Sequence, residues 1–173
     1  MDNKRSDIST NSIAFLALAV EYCRAAEDPW ALQRDGFVSR ILKLLPRIYI
    51  AASDINAKPE DNAFIAESYL EEAVYDNVRE NIARLLEIDD AYLEVFIDDM
   101  KYSDTPLGAS ISENLADIYQ VLYNVVEGVR DSTTDVVNGT LASCKQDFEA
   151  YWGQTLCNVL RAMHALQYNK NNY

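Results

Sequence analysis

The sequence predicts an all-α fold, a single-domain helical bundle of five to seven helices with a long C-terminal helix, and three observations predict it. Only 5 Gly and 4 Pro occur in 173 residues, too few to punctuate the many tight turns of a β-sandwich or barrel. Apolar residues make up 49% of the chain and recur at spacings of three and four, the period that gives a helix one buried stripe. From Thr134 to Gln167 there is no proline at all. A chain of this size buries on the order of 70% of the surface its unfolded form exposes. Residues 1–173 are therefore expected to form one domain without staples, with 1–8 and 169–173 frayed.

Each element follows from local signals. Ser9 or Thr10 can cap a first helix on which Ile13, Leu16, Ala17 and Val20 share a stripe, and Glu27-Asp28-Pro29 stops it. A second helix, from near Trp30 to about Ser53, buries Phe37, Ile41, Leu44, Leu45 and Ile48, with Pro46 expected to kink it. From Asp61 to Leu86 the set Phe64, Ile65, Tyr69, Val74, Val78, Ile82 and Leu85 predicts one or two helices, any break falling near Tyr75. Residues 87–108 are irregular, and a short helix, a brief strand or a loop is equally arguable there. Ser110-Ile111-Ser112-Glu113 reads as a capping box. It opens a helix to about Asp131 with Leu115, Ile118, Tyr119, Leu122, Val126 and Val129 on its apolar face. The final stretch, Thr134 to Gln167, predicts a helix roughly 50 Å long from its rise per residue. It would be the spine of the bundle, with Gly153 marking a bend beside Trp152 or the close approach of a neighbour.

Charge is distributed unevenly. The total is −13, but residues 1–58 carry 8 basic and 7 acidic side chains, 59–131 carry 4 and 18, and 132–173 carry 3 and 3. The whole surplus of anions thus lies between Pro59 and Asp131. A solvated face explains part of it. The acids Asp89, Asp90, Asp98 and Asp99, however, alternate with Tyr92, Phe96 and Tyr102. Aromatic groups among charges are what interface anchors look like. This pattern points to protein interaction through residues 59–131, with a basic protein as partner. A pI near 4.4 argues against direct binding of nucleic acid, whose affinity is built from Lys and Arg.

Motifs for catalysis are missing. The one histidine, His164, has Arg161 three residues before it, so the Glu-x-x-His repeats of a di-metal bundle are not present. No GxGxxG, GxxxxGK[ST], HExxH, GxSxG or EF-hand pattern occurs. No metal or other cofactor is expected, and a binding role is expected over an enzymatic one. The alternative is a polar pocket for a small molecule, in which Asp117 and Tyr119 would meet Arg161 and His164 across the core. Cys23, Cys144 and Cys157 form no CxxC pair and read as reduced core thiols of a cytoplasmic protein. The longest apolar run, Ile13 to Val20, is less than half of the roughly twenty residues a membrane span requires.

Three segments carry a resemblance. They are Leu115-Ala116-Asp117-Ile118-Tyr119-Gln120-x-Leu122-Tyr123, then Tyr151-Trp152-Gly153-x-x-Leu156-x-x-x-Leu160-Arg161-Ala162-Met163-His164, and Leu45-Pro46-Arg47-x-Tyr49. With them the chain resembles an uncharacterised family of small acidic bacterial proteins, a domain of unknown function. The resemblance implies an all-helical fold and assigns no activity, since its motifs are of the packing kind.

Overall fold

The computed structural model describes residues 8–57, 67–94 and 107–169. These form helices α1 (Thr10–Glu27), α2 (Gln33–Ser53), α3 (Glu72–Leu86), α4 (Ile111–Val129), α5 (Thr134–Asp147) and α6 (Gly153–Tyr168), with a two-stranded hairpin of β1 (Ala91–Glu94) and β2 (Leu107–Ser110). Short 3-10 turns precede α2 (Pro29–Leu32) and β1 (Glu87–Asp90). The all-α bundle holds, and among the described residues strand is confined to that hairpin.

Local chemistry sets the boundaries. Ser9 accepts from the Ser12 amide at 3.1 Å and starts α1, while Ser110 accepts from the Glu113 amide at 3.1 Å and starts α4, satisfying backbone donors that the first helical turn leaves orphaned. α2 continues through Pro46 to Ser53. α3 begins at Glu72, after coil at residues 67–71, so the break expected near Tyr75 falls a few residues earlier, while Phe64 and Ile65 lie outside the described residues. Asn124 explains the coil: its Oδ1 accepts from the amides of Tyr69 and Leu70 at 2.8 and 2.9 Å, pinning that strap to α4 instead of letting those amides enter a helix. In the segment left open by the sequence, Ala91 pairs with Ser110 and Glu94 with Leu107, antiparallel.

The helix α4, rather than the C-terminal one, is the centre of the bundle. It packs against α1, α3, α5 and α6, and its buried residues, among them Leu115, Ala116, Ile118, Tyr119, Leu122 and Gly128, face several directions instead of one stripe. The Tyr22 hydroxyl donates to the Leu115 carbonyl at 2.8 Å and locks α1 onto it. The C-terminal helix runs as expected from Thr134 to Tyr168, but through a π-turn, Phe148–Trp152, between α5 and α6. The Gly153 amide bonds the Phe148 carbonyl, five residues back. A Cβ on Gly153 would lie 2.6 Å from that carbonyl oxygen and 2.9 Å from the Phe148 ring. The close approach that this glycine permits is therefore to its own preceding turn and not to a neighbouring helix.

Candidate functional site

One groove brings together members of both sets of candidates, Asp89 and Tyr92 with Arg161 and His164. Between the hairpin and the end of α6 lies a groove of about 1110 Å³ lined by Arg34, Ile88, Asp89, Tyr92, Leu93, Arg161, His164 and Leu166. Arg34, on the first turn of α2, forms an ion pair with Asp89 across it. Tyr92 projects from β1 toward the interior and donates to Asn114 of α4 at 2.6 Å. Its hydroxyl also sits 3.1 Å from the Glu94 carboxylate, and burial together with that charge raises its pKa, Arg161 pulling weakly the other way. Leu93, also lining the groove, is 58% exposed, and Ile88 is 88% exposed. Large apolar groups held in solvent beside a groove are the informative exceptions to the burial rule.

At Arg161 and His164 this groove meets a second one, of about 1090 Å³, between α2 and α6, where Lys43 and Arg47 edge an apolar strip of Leu42, Pro46, Leu160 and Tyr168. The His164 and Tyr168 rings lie 4.8 Å apart. None of Lys43, Arg47 and Arg161 forms an ion pair with a described residue. Cys157 also lines this second groove and is exposed, which corrects its reading as a core thiol. Cys23 and Cys144 are buried as expected, and burial pushes both thiols up to about 12, leaving them protonated and unreactive at neutral pH.

Several expected partnerships are not formed. Asp117 does not reach Arg161 or His164; its Oδ1 accepts from the Tyr75 hydroxyl at 2.7 Å on the α3 side of α4. Burial raises the Asp117 pKa, the Tyr75 bond opposes that rise, and Glu113 adds to it. Tyr119 is fully buried and donates to Glu27 at 3.0 Å. The residues of the polar pocket thus divide, because Asp117 faces α3 while Arg161 and His164 face the hairpin. Asp90 is also not free to meet a partner. Its two carboxylate oxygens take the Ser112 amide and hydroxyl, each at 2.7 Å. Phe96, Asp98, Asp99 and Tyr102 lie outside the described residues. Much of the acidic surplus on α3 is compensated locally, by Asp76 with Arg79 and Glu80 with Arg84, while Glu71, Glu72 and Glu87 remain exposed.

Of the three described non-glycine residues with positive φ, two directly precede residues of this groove and the third, Asp131, follows α4, a signal that periodicity could not have carried. Gln33 (φ 56°, ψ 177°) and Glu87 (φ 55°, ψ −126°) occupy regions that favour glycine, each immediately before a groove residue, Arg34 and Ile88. Such conformations cost of order 1–3 kcal/mol and concentrate where function demands them. Glu87→Gly is accordingly expected to stabilise the protein by about 1 kcal/mol in urea denaturation; a neutral or destabilising result would remove the strain.

The comparisons agree with this fold and assign it no activity. Residues 6–169 match the model of a family described as Domain of unknown function (DUF5063). A crystal structure of protein BF1032 from Bacteroides fragilis is similar at 30% identity, with a TM-score of 0.81, over 95% of this chain and 97% of that one. Among curated proteins none matches. Among the described residues no helix is long and apolar enough to cross a membrane. With a family model covering nearly its whole length, the chain belongs to the DUF5063 family.

Proposed function

We propose that this protein is a cytoplasmic interaction module, a binding protein rather than an enzyme, which docks a basic protein partner in the groove between the hairpin and α6. The observation that carries the reading is the exposure of Ile88 and Leu93, which line that groove, Ile88 directly following the strained Glu87. Burial of two such side chains is worth about 1.5–3 kcal/mol each, which a solitary protein forgoes. The acidic excess in 59–131, 18 residues against 4 basic, supports long-range attraction of a cationic protein to the molecule. Asp89, Tyr92, Arg161 and His164 then line the groove at contact distance and set register.

The test separates docking from folding. Ile88→Glu with Leu93→Glu changes only exposed side chains, so thermal stability is expected to stay within about 0.5 kcal/mol of the parent. Affinity purification with the parent and the double variant, in low and high salt, is expected to yield a basic protein that the variant loses and that salt weakens. Identical captures by both proteins would overturn the reading.

A further inference from the structure

On the other side of α4 is a cavity of about 390 Å³ between α4, α5 and the strap at residues 67–70, away from the groove. Its size lies within the range of small-ligand sites. Among the described residues its charged lining is of one sign: Glu67 and Asp147 border it and no Lys, Arg or His does. Neither carboxylate is ion-paired with a described residue. Tyr69 and Tyr151 also line it, and a Cβ added to Gly128 would meet the Tyr69 ring at 3.4 Å, so the ring lies close over α4 where that helix has no side chain. A second observation is independent of charge. Thr140, only 6% exposed, lines the cavity, and its hydroxyl has no hydrogen-bond partner, although buried polar groups are almost always satisfied.

From this combination we infer that the α4–α5 cavity binds a small organic cation, an ammonium carried on an apolar body. The ammonium sits among the Glu67 and Asp147 carboxylates and the faces of Tyr69 and Tyr151, the arrangement that recognises alkylammonium groups. The apolar body lies along Val121, Val125 and Val136. A metal ion is disfavoured, because no three or more His, Cys, Asp or Glu residues converge among the described residues and hard cations require more oxygen ligands than two carboxylates provide. The field at the cavity agrees in sign. The Glu67 carboxylate beside its hydroxyl raises the Tyr69 pKa, and burial, with the charges of Asp117 and Asp147, raises that of Tyr151.

The probe is 2-phenylethylammonium, titrated into the full chain and followed by amide chemical shifts. Its neutral isostere 2-phenylethanol and the anion 3-phenylpropionate serve as comparators. Saturable shifts are expected at Gln120, Val125, Thr140 and Ser143, with the alcohol and the carboxylate bound at least about tenfold more weakly. The double variant Glu67→Gln/Asp147→Asn, altering two residues that take no part in the core, is expected to weaken the ammonium about tenfold, and Tyr151→Ala to weaken it further. Absence of saturable shifts with the ammonium, equal binding of the alcohol, or unchanged affinity in the double variant would each overturn the assignment.

Discussion

Replacing Trp152 by alanine is expected to destabilise the protein by about 3–5 kcal/mol, the range for deletion of a fully buried aromatic. Its side chain has no exposed surface. It ends the π-turn, donates from Nε1 to the Cys144 carbonyl at 3.2 Å, and meets the Phe148 ring edge-on with centroids 4.8 Å apart. Phe148 in turn meets Tyr49 of α2 at 5.0 Å. The indole therefore joins the two halves of the C-terminal helix to each other, and through Phe148 to α2. Trp152→Phe keeps most of the packing and loses the indole bond, so it is expected to cost only about 1–2 kcal/mol. Urea denaturation followed by far-UV circular dichroism measures both. A loss below about 1 kcal/mol for the alanine variant would show that the π-turn is held by something else.

The residues that were legible as structure were those whose signal is local. Ser9, Ser110 and Glu113 announce helix starts because a cap is a bond between near neighbours, and the stripe of Leu115, Ile118, Tyr119 and Leu122 announces a buried helix because periodicity is a property of a short window. The π-turn announced itself only as Gly153, since one extra residue in a helical turn leaves the apolar spacing on both sides intact. The strap at 67–70 gave no warning, because what holds it out of α3 is Asn124, more than fifty residues away. For the site the limits were similar. Arg161 and His164 were visible as polar groups in an apolar helix, but their neighbours depend on how α6 turns relative to α4, and that angle is not written in either helix alone. The groove was brought together by the hairpin, whose segment read equally as helix, strand or loop. The exposed Cys157, and the strain at Gln33 and Glu87, carried no sequence signal at all.

The second large effect is expected at Asp90. Its alanine variant should lose about 2–4 kcal/mol, because hydrogen bonds to a charged acceptor contribute about 1.5–3 kcal/mol each and the Ser112 groups left behind are buried. Asp90 stands one residue before β1, while Ser112 is the second residue of α4, only two residues after β2 ends. The carboxylate therefore clamps the base of the hairpin shut, and both of its oxygens are used. Glu87→Ala, three residues earlier on an exposed carboxylate, provides the matched control. It removes the same charge and no such bond, and is expected to cost at most about 0.5 kcal/mol. The contrast also determines how the groove can be probed. Reversing charge at Asp90 would loosen the hairpin and displace Tyr92 and Leu93 with it, so lost binding would report disorder and not a lost contact. Equal urea midpoints for the Asp90 and Glu87 variants would show that this carboxylate is free after all, and would return it to the surface that a partner meets.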